Sequence, residues 1–323
     1  MTSPIEVLFV VLPDSLLLDV GGPAEAFRLA NAQLEARGRP PAYRMRFVGP
    51  DATTPSSVGL MLAGLQPLPD HLAEPTWVVL VGRPGSALQV VRHQRAWLAT
   101  RHWLAQVVAP ALASADTPHR LLTVCSGALL AADAGLLAGR LVTTHHELLD
   151  ELTALAPAAR VVANRVFVED GVFASSAGVT AGIDLALHLI AQTQGEALAS
   201  AVAQVMVVFH RRGADDPERS PLLAGRSHLH PAVHAVQTAV VDAPGDDWTL
   251  ERMAAVAHVT PRHLARLFRE HAGVTPREHV EQVRLSLAQE AKQAGLHTKQ
   301  ALELAGFRSD RQWRRARGRA ASA

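Results

Sequence analysis

The sequence predicts an α/β domain built on a doubly wound, mostly parallel sheet, followed by an all-α domain with two helix–turn–helix units. Three observations carry this reading. Through the first 190 residues, short continuous apolar runs alternate with amphipathic helical patterns, as strands buried on both faces alternate with the helices that cover them. Residues 210–228, "HRRGADDPERSPLLAGRSH", are rich in Gly, Pro and charge and carry no periodicity. After them the pattern is purely helical. The expected organisation is therefore an α/β domain over 1–209, a linker over 210–228 and a helical domain over 229–323.

In chain order, strands are expected at 6–12 ("EVLFVVL"), 43–49 ("YRMRFVG"), 76–82 ("TWVVLVG"), 120–124 ("RLLTV") and 140–144 ("RLVTT"). Each is an apolar run short enough for a strand. Helical spacing occupies 23–36, 94–108, 127–137 and 146–155 between them. "RVFVEDGVFASS" reads as a hairpin turning at Glu169-Asp170-Gly171, since Asp-Gly supplies the positive φ that tight turns need. Helices are expected next, over 178–190 and 196–209.

The helical domain is punctuated by caps. Thr249 precedes a helix from Leu250 to about Ala257, a turn falls at His258-Val259, and Thr260 caps a second helix with Pro261 at its first position. Leu264, Leu267 and Phe268 form the buried stripe of that second helix, which leaves Arg262, His263, Arg266 and Arg269 off it. A rigid helix pair with a basic outer face is what reading a DNA major groove requires. "TPRE" (275–278) is a capping box that opens a long helix. A second helix–turn–helix follows over 298–319, with Gly306 in its turn, Ser309 and Gln312 as a further capping pattern, and arginines at 311, 314, 315, 317 and 319.

Composition bounds the chemistry. A single cysteine in 323 residues excludes a disulfide framework and any multi-cysteine zinc site. No metal and no cofactor is expected; "SHLHPAVH" (227–234) has spacing that suits no tight site. The N-terminal apolar run contains Glu6 and lacks a basic preamble, so it reads as a core strand and not as a signal peptide. No apolar run reaches the 18 or so residues of a membrane span, so the cytoplasm is expected and no membrane partner. Residues 1–210 hold 13 Lys/Arg and 17 Asp/Glu, a net −4, whereas residues 228–323 hold 14 and 10, a net +4. An acidic body with a basic helical region fits a polyanion-binding C-terminal domain. Trp97 and Trp103 read as packing or dimer contacts.

The lone cysteine lies in "LLTVCSGALL" (121–130), where a strand reaches Cys125 and Ser126-Gly127 open a helix. A nucleophile, a ligand contact and an inert buried thiol all remain open there. A helix N-terminus favours thiolate over thiol.

Residues 248–317, above all the first helix–turn–helix and "LAGFRSDRQWRR", resemble the paired DNA-binding domain of AraC/XylS-type transcription regulators. His258 stands where such proteins usually carry Gly, and the family's "GxxPxxYR" tail motif is absent after Arg319. "LLLDVGGPAEAF", "TVCSGALLAADAGLLAGRLVTTHHE" and "SSAGVTAGIDLALHLI" resemble the ThiJ/PfpI superfamily, related to class I glutamine amidotransferases. Together the two halves resemble GlxA-like regulators. The resemblance implies a flavodoxin-like first domain with Cys125 on a strand-to-helix elbow. It gathers Asp19 and His145 around that cysteine, with His146 as the register alternative. Asp19, Glu25, Cys125, Ser126 and His145 become candidate ligand contacts. Arg262, His263, Arg266 and Arg269, with Ser309, Asp310, Arg311, Arg314 and Arg315, become candidate DNA contacts. The implied function is a sequence-specific transcription regulator, a homodimeric activator, that senses a small nitrogen-containing effector. Its partners are operator or promoter DNA and, as a further contact, RNA polymerase. No catalytic residue is expected. The alternative is a cysteine-dependent enzyme (an amidase, isonitrile hydratase or glyoxalase-like activity) working through Cys125, Asp19 and His145.

Overall fold

The computed structural model of the protein describes residues 3–86, 95–114, 116–208, 211–214, 216, 218, 228, 230–293, 296–307 and 309–320. Its contacts divide the chain into two units, Met1–Glu218 and Arg219–Ala323.

Among the described residues of the first unit the strands are β1 (Ile5–Val10), β2 (Tyr43–Val48), β3 (Thr53–Pro55), β4 (Met61–Ala63), β5 (Thr76–Leu80), β6 (Arg120–Val124), β7 (Leu141–Val142), β8 (Arg160–Val161), β9 (Phe167–Asp170) and β10 (Phe173–Ser176). The main sheet runs in the order β2-β1-β5-β6-β10-β9. Every neighbouring pair is parallel except β10–β9, the hairpin anticipated at Asp170-Gly171. Successive residues of β1 point to opposite faces, so Val7 and Phe9 enter one core while Leu8 and Val10 enter the other. Helices Leu17–Glu35, Ala181–Gln194 and Glu196–Val205 cover the first face. The helical run from Arg95 to Leu112, interrupted by a π-turn at Leu104–Val108, covers the second with Gly127–Asp133 and Leu149–Leu155. Trp97 and Trp103 are core residues whose indole N–H groups donate to Asp133 and to the Pro69 carbonyl.

The structure departs from the sequence reading in four places. The first helix begins at Leu17 and carries Pro23 in its interior, where the sequence had Pro23 open it. The apolar run 140–144 contributes only Leu141–Val142, paired with β8 outside the main sheet. A short hairpin, β3–β4, gave no apolar signal and was not expected. The start of the expected linker is held to the first unit. Arg212 clamps the buried Asp184 carboxylate at 2.6 and 2.9 Å, the Val166 N–H donates to the Asp216 carbonyl, and Glu218 bonds His146. His210 and residues 219–227 of that segment, like Gln94 and Phe209, lie outside the described residues.

The second unit is helical: Pro231–Asp242, Leu250–Val256, Pro261–Ala272, Pro276–Gln293, Thr298–Leu304 and Asp310–Ala320. One core gathers Val233, Val236, Val240, Met253, Leu264, Leu267, Phe268 and Val283; a second gathers Ala288, Leu302, Ala305, Phe307 and Ala316. Leu287, on the Pro276–Gln293 helix, packs against both. That single long helix therefore fixes one helix–turn–helix relative to the other.

Candidate functional site

In the first unit the chain steps outward from β1 to β2 and then returns to β5 on the other side of β1. The carboxyl ends of the strands beside such a reversal are the usual ligand site of a doubly wound sheet. Asp19 follows β1, Gly82 follows β5 and Cys125 follows β6 directly.

Cys125 sits at φ +54°, in the left-handed region, and is buried. A non-Gly residue held there is strained and persists only where its surroundings fix it. The Cys125 N–H donates to the Ser176 carbonyl at 3.0 Å, and the Thr144 hydroxyl donates to the Cys125 carbonyl at 2.8 Å. Two glycines leave room for the elbow. A Cβ on Gly178, itself at φ +99°, would fall 2.2 Å from the Cys125 Cβ and 2.7 Å from its Sγ. A Cβ on Gly127 would fall 2.1 Å from the Leu80 carbonyl oxygen.

Asp19 is fully buried beside this elbow. Its carboxyl accepts the Gly82 N–H at 3.2 Å and the Val179 N–H at 2.9 Å. Burial nevertheless dominates and pushes Asp19 up to about 6. Burial, then the neighbouring Asp19 charge, push the Cys125 thiol up to about 12. The helix N-terminus was expected to favour a thiolate. The structure corrects this: Gly127–Asp133 is only two turns long, and its dipole is outweighed by burial and nearby carboxylates. Val179, at φ +52°, is a second strained residue at the same spot and is exposed together with Leu18.

The remaining candidates divide. Ser126 Oγ accepts the Arg83 N–H at 2.6 Å and donates to the Arg83 carbonyl at 2.8 Å, so this buried hydroxyl locks the loop after β5. Glu25 does not join Asp19. Six residues along a helix turn the side chain about 120° away, and its exposed carboxylate pairs with Arg28 at 2.6 Å. His145 is partly buried, and burial, with the nearby His146, lowers its pKa. Its ring lies tilted against that of His146 at 4.3 Å, and His146 Nδ1 lies 2.9 Å from Glu218 Oε1. Sequence reasoning missed Gly82, Gly178, Val179 and Glu218. The glycines stood inside quoted motifs, whereas nothing local marks Glu218.

In the second unit each cap forms as read. Thr249 Oγ1 accepts the Arg252 N–H, Thr260 Oγ1 accepts the His263 N–H, and Thr275 and Glu278 exchange N–H bonds at 2.7 and 3.2 Å. Ser309 Oγ accepts the Gln312 N–H. His258 adopts φ +54°, the left-handed turn conformation that Gly would take more cheaply. On Pro261–Ala272, Leu264, Leu267 and Phe268 are at most 3% exposed, while Arg262, His263, Arg266 and Arg269 all lie on the exposed side. Thr260, Ala265 and Glu270 complete an open groove along that face, and Arg266 pairs with Glu270 at 2.8 Å. On Asp310–Ala320, Arg311, Arg314 and Arg315 are exposed, Asp310 holds Arg314 at 2.8 Å, and Arg317 lies over the Trp313 ring.

A helix-turn-helix domain model matches residues 253–321, and a DJ-1/PfpI family model matches residues 103–192. The chain is similar to the HTH-type transcriptional regulator GbdR of Pseudomonas aeruginosa, 27% identical over 313 residues that cover 94% of this chain and 78% of that protein. It is also similar to the HTH-type transcriptional regulator GlxA of Rhizobium meliloti, 32% identical over 166 residues, 51% of each chain. The chain thus carries a DJ-1/PfpI domain and a helix-turn-helix domain, and its relatives are GlxA- and GbdR-type transcriptional regulators. The regulator shares its first fold with a solved AraC family transcriptional regulator from Pseudomonas putida, at TM-score 0.50 and 19% identity over 63% of this chain and 100% of that one. Over 94% of its length it is similar to a transcriptional regulator, and over 76 residues, 23% of this chain and 31% of that protein, it is 42% identical to an isonitrile hydratase of Pseudomonas putida.

Proposed function

We propose that this regulator binds operator DNA through the outer face of Pro261–Ala272, supported by Asp310–Ala320, and that its first unit senses a small molecule at the Cys125 elbow. One observation carries the DNA reading. The helix whose inner face is the core of its domain presents Arg262, His263, Arg266 and Arg269 outward, with Arg262, Arg266 and Arg269 spaced as a single stripe. Such a stripe reaches guanine edges and phosphates at once. Arg311, Arg314 and Arg315 supply the second set of contacts. Arginine is the better residue for both tasks, because its fork bonds base or phosphate acceptors two at a time.

The sensing reading is supported by backbone strain. Cys125 and Val179 are two non-Gly residues at positive φ, joined through Asp19 and Gly178 at the switch point of the sheet. Strain concentrates where a fold recognises something. The effector settles over Asp19, against exposed Leu18 and Val179, and a nitrogen-bearing compound with an N–H group suits a buried carboxyl. A thiol held protonated favours recognition over turnover, because the thiolate is the nucleophile. The active species is a homodimer in the cytoplasm, which matches paired half-sites. No helix among the described residues is long and apolar enough to cross a membrane.

Fluorescence anisotropy on a duplex from upstream of the protein's own gene tests the DNA reading. The double variant Arg262→Ala/Arg266→Ala loses on the order of 10- to 100-fold in affinity, and the slope of log K against log salt shrinks by about 2. Unchanged affinity and slope would remove this helix from the interface.

A further inference from the structure

We infer that His145, His146 and Glu218 form a binding site for a divalent first-row transition ion, with zinc as the reference metal. One donor atom from each of the three lies within 4.8 Å of the others. The set is two imidazoles and one carboxylate, which suits zinc and leaves a coordination position open to a further ligand. A zinc ion with donors at 2.0–2.2 Å spaces them about 3.4 Å apart, so the donors, within 4.8 Å of one another, need to close by no more than about 1.4 Å.

A second observation points to the same occupant. The Glu218 side chain is 8% exposed, and only one of its carboxylate oxygens is used. Oε1 accepts the His146 N–H at 3.0 Å and faces His146 Nδ1, while Oε2 is buried with no hydrogen-bond partner. A buried carboxylate oxygen left without a partner is costly, and a cation removes that cost. The surroundings add a second negative group and no Lys or Arg partner among the described contacts. Glu147 Oε2 lies 3.7 Å from His145 Nδ1, where a carboxylate steadies a coordinating imidazole. Two carboxylates beside two imidazoles make a donor set that a divalent ion suits.

The placement gives the ion a task. Glu218 is the last residue of the first unit and is 72 residues from His146 in sequence. An ion shared by the three residues ties the departing chain to the loop after β7. Metal occupancy then sets how firmly the chain is held at Glu218. This goes beyond the effector and DNA readings: metal loading is measured without DNA or effector, so either can fail while the other stands.

The test uses the full-length protein, stripped with a chelator and titrated with zinc against a chromophoric zinc indicator. Wild-type protein binds one zinc per chain at its tightest site. Glu218→Gln and His146→Gln each weaken that site at least tenfold, the scale seen when a metal site loses a supporting contact. His234→Gln leaves it unchanged, although His228, His230, His234 and His271 form a ring cluster in the second unit that is the natural competitor. Equal affinity in all variants, or loss only in His234→Gln, would overturn the assignment. X-ray absorption of the zinc-loaded protein shows nitrogen and oxygen neighbours only; a sulfur neighbour would move the ion to Cys125 and also refute the donor set. Circular dichroism of the metal-free variants checks folding, and His145→Gln replaces Glu218→Gln if the latter does not fold.

Discussion

The Cys125 elbow and the Pro261–Ala272 helix, the two recognition sites proposed above, are built from opposite physics. The elbow is buried, and its backbone is strained at Cys125 and Val179. Its ionisable groups are shifted toward their neutral forms by burial, Asp19 up to about 6 and Cys125 up to about 12. The helix face is exposed, locally unstrained and permanently charged, since guanidinium groups stay protonated in water. The comparison teaches that a residue's chemistry follows its surroundings more than its type. Burial pushes a cysteine at a helix start toward its neutral thiol, while exposed arginines keep their charge.

The largest effect that would break this contrast concerns the thiol. A thiol titrating near 12 instead of 9.0 carries about 1,000-fold less thiolate at neutral pH. Alkylation of Cys125 by iodoacetamide at pH 7.5 should therefore be at least about 1,000-fold slower in the folded protein than in urea, with burial slowing it further. Comparable rates would make the elbow wet and revive the enzyme reading.

The next effect sharpens the electrostatic side. Asp19 has a folded pKa of about 6 against an ordinary 3.8, so between those values the folded state keeps a proton that the unfolded state releases. Stability from this group is present below about pH 4 and is lost as pH rises through 6, on the order of 3 kcal/mol in all. Urea unfolding of wild type and Asp19→Asn between pH 4 and 7.5 isolates it. The two curves should diverge with pH, the wild type losing more; parallel curves would mean that Asp19 ionises normally.

The smallest effect probes the helix face. Thr260→Ala removes the hydroxyl that accepts the His263 N–H and should destabilise the second unit by about 1 kcal/mol. Reactivity of Cys125, measured on the same variant, should not change. A larger loss, or a change at Cys125, would mean that the two regions are energetically coupled.

Much of the second unit was legible because its signals are local. Thr249, Thr260, Thr275 and Ser309 each bond an N–H three residues ahead, Glu278 returns the bond to Thr275, and Leu264, Leu267 and Phe268 recur at helical spacing. Chain neighbours decide such features, so a one-dimensional reading reaches them. The strands at β1, β5 and β6 were legible for a similar reason: burial on both faces demands an unbroken apolar run. The expected strand at 140–144 failed because its composition matches a core strand, yet β10 took the place beside β6.

The sequence by itself determined the division into an α/β half and a basic helical half, and the helix starts of the latter. Only the tertiary structure decided the state of Cys125 and the company it keeps. Asp19 is fixed by N–H groups 63 and 160 residues away, which hold a buried carboxyl near the thiol. Glu25, close to Asp19 in sequence, was turned away by the helix itself, and Glu218, remote from the histidines in sequence, was brought to them. Burial and long-range pairing set these outcomes, and both are properties of the folded volume and not of the order of residues along the chain.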